Sequence, residues 1–184
     1  MAKKENQRIA LTRRLLQEGL LRLLEQEKLE QISVTALCKE AGINRATFYN
    51  HYASPTALLE EMEQALVSEL QTINSSAETL EDVLDQTERS CIMLKENSTL
   101  FHILVRYHAD QDLEEIVKKT ARHYDTHRLN TLQTKLDPDT IHLVSSYLYC
   151  GCYNLIREWL LHDIDKTPRQ IAELLVDIVS KEYL

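Results

Sequence analysis

Between positions 45 and 51 the chain offers a guanidinium, a hydroxyl, a phenol, an amide and an imidazole, on Arg45, Thr47, Tyr49, Asn50 and His51. That set suits recognition rather than catalysis. An Arg near the start of a helix can bind guanine bidentately, and a neighbouring Thr can reach a base edge, so Arg45 and Thr47 are expected to face bases. Tyr49, Asn50 and His51 are expected at phosphates, where hydrogen bonds fix register without reading sequence. The helix start at Pro55 adds a dipole favourable to an anion.

Two other groupings are weaker. His123 and His127 stand four apart on a predicted helix, so both imidazoles can face one metal, with His102, His108 or a carboxylate completing the site. Spacing supplies too few ligands, and no metal or other cofactor is expected. Phe101, Tyr107, Tyr124, Tyr147, Tyr153 and Trp159, with His123 among them, can line a small-molecule cavity, although core packing explains most of them equally well. No Gly-rich phosphate loop, nucleophile elbow or paired acidic motif is present, and the sequence does not read as an enzyme.

The elements that carry these residues are helical. Leu11, Leu15, Leu16, Leu20, Leu23 and Leu24 recur at helical spacing and predict an amphipathic helix over about 8–26. Ser33 caps a second helix with Val34, Leu37, Cys38 and Ala41 on its inner side, and Gly42 ends it. Asn44 caps a third, running to His51, with Phe48 and Tyr52 facing inward. Two short helices joined by a Gly-containing turn have the geometry that lays a recognition helix in the major groove. An ordinary solvated helical hairpin has the same pattern, and spacing alone leaves both open.

Ser54-Pro55, Asp137-Pro138 and Thr167-Pro168 each join a capping residue to a proline at a first helical position, marking three further starts. Apolar spacing predicts more helices over 78–95, 98–109 and 113–135. Only three Gly and three Pro interrupt the 184 residues. The fold class is all-α, divided into residues 1–54 and residues 55–184.

Composition limits the setting. No apolar run is long enough to span a membrane, the charged N-terminus lacks a signal-peptide core, and the four cysteines, Cys38, Cys91, Cys150 and Cys152, show no CxxC spacing. A cytoplasmic protein with reduced, mostly buried thiols is expected. The net charge of -8 argues alone against nucleic acid, yet it is uneven: residues 1–56 hold nine Lys and Arg against six Asp and Glu, leaving 12 against 23 for the rest. A basic head on an acidic body fits a local DNA reader whose bulk avoids indiscriminate binding.

The run from Ser33 to Tyr52, SVTALCKEAGINRATFYNHY, followed by Leu58-Leu59, closely resembles the signature of the TetR family of bacterial regulators. The resemblance covers residues 8–60. It implies an all-helical homodimer whose N-terminal domains contact two operator half-sites and whose larger C-terminal domains bind a small-molecule inducer. On that resemblance Arg45, Ala46 and Thr47 fall at base-facing positions, and Thr35, Tyr49 and His51 at positions that support or contact the backbone, beside the capping Asn44. Two residues depart from the family: Lys28 stands where Gly is frequent, and Pro55 where Lys is frequent, which removes a phosphate contact. The segments Tyr147–Tyr153 and Ile156–Leu161, then Thr167-Pro168 and Ile171–Leu175, resemble a mainly Firmicutes subgroup. There the last two helices form the dimer's four-helix bundle, and Gly151 allows close backbone approach.

The apolar spacing itself also favours pairing. Leu143, Tyr147, Cys150, Asn154 and Trp159 cover one broad side of the helix over 139–161, while Ile141, Leu148, Cys152, Leu155 and Ile156 cover much of the rest. A helix apolar on most sides must be buried on most sides. Ile171, Leu174, Leu175, Ile178 and Val179 form a stripe on the last helix, over 168–183, so Tyr147, Gly151, Leu155, Trp159, Leu174 and Ile178 are expected at a dimer interface. The function expected is a DNA-binding repressor released by a small-molecule effector. The rival is a fold of the same type that acts through a partner regulator without binding DNA, as some relatives in that subgroup do.

Overall fold

The computed structural model describes residues 2–73, 79–107, 114–115 and 137–181, and every regular element among them is helical. Two compact units divide the chain, residues 1–66 and 67–184, with the division inside α4 (Pro55–Ile73). Pro55, expected to open the second domain, opens that helix.

In the first unit, α1 (Ala2–Leu24) is followed by a 3₁₀ turn at Leu29–Gln31, α2 (Val34–Ala41) and α3 (Arg45–Tyr49). The buried row of α1 is Thr12, Leu16, Leu20 and Leu24, spaced by four, and the three leucines have no exposed surface. Leu11, expected on this stripe, is instead 56% exposed, because Thr12 holds the inward place and one residue turns the side chain by about 100°. A Cβ on Gly19 would lie 3.2 Å from Cβ and 3.3 Å from N of Ala41, so α1 and α2 cross almost backbone to backbone. Beside that crossing Arg22 Nε meets Glu40 Oε1 at 2.6 Å.

In the second unit, α5 (Leu80–Glu96) starts at a capping box: Thr79 Oγ1 accepts from Asp82 N at 3.1 Å, and Asp82 Oδ2 accepts from Thr79 N at 2.9 Å. Then come α6 (Ser98–Arg106), α7 (Pro138–Leu161) and α8 (Pro168–Lys181). α5 packs along α8, and α6 against α7. Arg169, in the first turn of α8, ties the former pair, reaching Glu88 Oε2 at 2.8 Å and Asp85 Oδ1 at 3.3 Å on α5 and Glu173 Oε1 at 3.0 Å on its own helix. The Lys166 carbonyl in the turn between α7 and α8 accepts the Trp159 indole N–H at 3.1 Å, with the Lys95 ammonium 5.1 Å from the Trp159 ring centroid.

All three Pro starts are capped as expected: Ser54 Oγ accepts from Ala57 N, Asp137 Oδ1 from Asp139 N and Thr140 N, and Thr167 Oγ1 from Gln170 N. The third helix ends at Tyr49 rather than His51, and the His51 amide bonds three residues back to the Phe48 carbonyl at 2.9 Å, tightening the last turn. α6 stops at Arg106 with Tyr107 as its cap. The helix expected over 113–135 lies outside the described residues except at 114–115, which are helical. Cys38, Cys91 and Cys152 are buried and Cys150 is exposed, all as free thiols. Burial pushes the Cys91 thiol up to about 12 and the Cys152 thiol up to about 11, so both stay protonated at neutral pH. Among the described residues no helix is long and apolar enough to cross a membrane.

Candidate nucleic-acid interface

Local sequence builds the helix-turn-helix. Ser33 Oγ accepts from Ala36 N at 3.1 Å and starts α2. Gly42 ends it at φ 67°, a left-handed conformation that side chains resist, and the Ile43 amide returns to the Cys38 carbonyl at 2.9 Å. Asn44 Oδ1 then accepts from Thr47 N at 2.7 Å and starts α3. The Asn44 side-chain oxygen therefore works as the cap, which sets where α3 begins and so where Arg45 stands.

α3 has five residues, too few to hold a helix alone, and its core side supplies what is missing. Phe48 is fully buried and Tyr52 is buried next to it, ring centroids 6.0 Å apart. The opposite face is open. Arg45, Ala46, Tyr49 and Asn50, at helical positions i, i+1, i+4 and i+5, are exposed; Thr47 and His51 are half-buried, and Thr35 on α2 is exposed. Tyr49 keeps 52% of its surface exposed while its ring meets Phe48 edge-on at 5.5 Å, which holds an exposed aromatic in one orientation.

Charge is distributed to the same end. Arg13 meets Glu61, Arg14 meets Glu18 and Arg22 meets Glu40, whereas no carboxylate pairs with Arg45 among the described residues. Arg45 thus presents an exposed guanidinium at the first position of α3.

The family model described as "Bacterial regulatory proteins, tetR family" matches residues 16–62, and the model described as "Transcriptional regulator C-terminal region" matches residues 81–181, more than half of the chain. The chain belongs to the TetR family of transcriptional regulators. Members of this family are transcription factors, not enzymes. A curated relative, the HTH-type transcriptional regulator YxbF of Bacillus subtilis, is 35% identical over 69 residues. That match takes in 37% of this chain and 18% of the relative, so the chain spans under a fifth of the length of the curated protein it matches. Among solved structures, the dihydroxyacetone kinase operon activator DhaS aligns with TM-score 0.65 at 16% identity, covering 94% of this chain and 96% of its own. A TetR regulator from Streptococcus agalactiae aligns with TM-score 0.64 at 17% identity, covering 97% and 99%. These likenesses establish the TetR fold.

The remaining sequence-predicted residues are dispersed over the second unit. Phe101 and Trp159 are buried, Tyr107 is half-buried, and Tyr147 is 70% exposed. His102 Nε2 is engaged at 2.8 Å with the Leu160 carbonyl. His108, His123, Tyr124 and His127 lie outside the described residues. Among the described residues no group of three or more His, Cys, Asp or Glu is arranged to hold a metal ion. Of the residues expected at a dimer interface, Tyr147, Gly151 and Leu174 are exposed, Leu155 and Ile178 are half-buried, and Trp159 is covered by its own chain.

Sequence reasoning did not find the contact of Gly19 with Ala41, the Arg169 cluster, or a link from Tyr52 through Glu61 to Arg13. A glycine inside a Leu-rich helix was the one available signal, since Gly there is disfavoured by about 1 kcal/mol unless backbones approach closely. The other two join residues far apart in sequence.

Proposed function

We propose that the chain is a cytoplasmic, homodimeric, DNA-binding repressor that reads an operator through α3 and is released by a small-molecule effector held by its second unit. The observation that carries the DNA reading is the capped, Phe48-anchored α3 with Arg45, Ala46, Tyr49 and Asn50 turned outward. Arg45, Ala46 and Thr47 face bases in this reading. Thr35, Tyr49, Asn50 and His51 meet the phosphate backbone, and Asn44 fixes where the reading helix starts.

Removal of the guanidinium tests the assignment. Arg45→Ala is expected to weaken binding to the preferred duplex by about 1 to 3 kcal/mol while leaving random-duplex binding much less affected. Tyr49→Phe and His51→Ala should weaken both, because phosphate contacts carry no sequence information. Fluorescence anisotropy with the two duplexes checks this; an unchanged ratio of affinities in Arg45→Ala would remove Arg45 from base reading.

Salt dependence measures how many phosphates are neutralised. Residues 1–56 have a net charge of only +3 and Pro55 offers no cation, so about three to five contacts per subunit and a log-log slope of about -5 to -9 for a dimer are expected. Affinity independent of salt between 50 and 200 mM, roughly the range over which such contacts are felt, would contradict DNA binding by this surface.

Pairing of two chains is supported by the outer face of α7. Leu143 is 69% and Tyr147 70% exposed, and Cys150, Gly151 and Asn154 continue the same face at helical spacing. An exposed apolar row of this kind suits an isologous contact, joined by Leu174 of α8 at 45% exposure. Two chains paired there would present reading heads to half-sites about one DNA turn apart, roughly 34 to 36 Å.

A further inference from the structure

The five residues of α3 must present Arg45 within a narrow range of angles, since recognition groups lose their contacts when misplaced by about 0.5 Å or 10 to 20°. The Asn44 cap and buried Phe48 hold the start and middle of the helix. Its exit is held differently. Tyr52, buried against Phe48, donates its hydroxyl to Glu61 Oε1 at 2.7 Å, and that same oxygen lies 3.7 Å from Arg13 Nη1. One carboxylate on α4 thus joins the exit of the reading helix to α1.

The two bonds differ in strength. Arg13 and Glu61 side chains are 46% and 40% exposed, and an ion pair of that exposure contributes little alone. The bond from a buried phenol to a charged oxygen is of the stronger, charge-assisted kind. Burial first, then the hydrogen bond to Glu61 and its negative charge, raise the Tyr52 hydroxyl above its ordinary value, so it remains a donor throughout the pH range of a folded protein.

We propose that Glu61 is a positioning residue for operator recognition, setting the angle of α3 through the Tyr52 hydroxyl while Arg13 orients its carboxylate. This rests on α3 being the DNA reader. Glu61 need touch no DNA itself. Its contribution should appear in the discrimination between duplexes, because a tilted α3 still meets phosphates but brings Arg45 to the wrong place on the base edges.

The test uses the full chain, the duplex that the wild-type protein selects from a randomised pool, and a shuffled duplex of the same composition. Tyr52→Phe and Glu61→Ala should each lower the ratio of selected to shuffled affinity by about tenfold, as loss of a hydrogen bond to a charged group would. The double variant should lose no more than either single one, since both remove the same bond. Glu61→Gln, which keeps an acceptor oxygen without its charge, should retain part of the ratio that Glu61→Ala loses. A purely structural role would instead lower the melting temperature and weaken both duplexes equally, leaving the ratio unchanged, and that result overturns the proposal. Additive losses in the double variant also overturn it. Failure of the wild-type protein to select any duplex would overturn the DNA reading itself, and is distinct from an unchanged ratio in the variants.

Discussion

Gly151→Leu is expected to leave the chain folded while abolishing both dimerisation and operator binding. Among the described residues, apart from the adjoining backbone of its own helix, no atom lies within 4 Å of where a Cβ on Gly151 would stand, and the position is exposed, so a single chain has room for the larger side chain. Within the helix the change is favourable, Gly being about 1 kcal/mol worse than most residues in a helix interior. Any loss must therefore come from a second molecule. A leucine in the centre of the face formed by Leu143, Tyr147, Cys150 and Asn154 would hold two such helices apart and remove the close contact that pairing requires. Sedimentation velocity should show a monomer, and circular dichroism should show the helix content of the wild-type protein. Binding to a two-half-site duplex should be lost, because one head provides only half of the contacts. A Gly151→Leu variant that sediments as a dimer and still binds would place the interface elsewhere.

The opposite outcome is expected at the other helical glycine. Gly19→Val should cost the first unit about 1 to 3 kcal/mol through overpacking, which outweighs the small gain in helix propensity of Val over Gly. Its Cβ would sit 3.2 Å from Ala41 Cβ and 3.3 Å from Ala41 N, and the added methyls would press on a backbone that cannot rotate away. A typical domain has a total stability of about 5 to 15 kcal/mol, so a loss of this size is a substantial fraction of the margin. Gly19→Ala should be far milder, because a shift of a few tenths of an ångström accommodates one carbon and the gain in helix propensity offsets it. Urea denaturation followed by circular dichroism distinguishes the two; equal midpoints for Gly19→Val and the wild-type protein would mean that α1 and α2 do not cross closely in solution.

These two glycines show what the sequence made legible. The helix-turn-helix could be read almost residue by residue, because Ser33, Gly42, Asn44 and Ser54 act on backbone groups within a few positions of themselves. Phe48 and Tyr52 were placed inward for the same local reason. Gly19 was not singled out, as its significance lies in Ala41, which another helix brings to it. Glu61 was not singled out either, as its significance lies in Tyr52 and Arg13, which the fold brings beside it.

In α7 the difficulty was of another kind. A helix apolar around most of its circumference does not reveal by period alone which side its own chain covers. Tyr147 and Trp159 read as members of one apolar surface, yet Tyr147 is exposed while Trp159 is enclosed, its indole donating to the Lys166 carbonyl under the Lys95 ammonium. That separation depends on a turn and on a helix far away in sequence. Leu11 and Thr12 show the same limit on a smaller scale, one position deciding which of two neighbours is buried.

The central claim is that α3 reads DNA, and the most direct measurement is a gel-shift titration of the wild-type chain against the DNA flanking its own gene, with a shuffled duplex of equal composition as competitor. A discrete complex is predicted, resisting an excess of the shuffled duplex, weakened by added salt, and in Arg45→Ala both weakened and more readily displaced by the shuffled duplex. No complex at low salt, or one that the shuffled duplex displaces as readily as the flanking sequence does, would contradict sequence-specific recognition of that DNA by this surface.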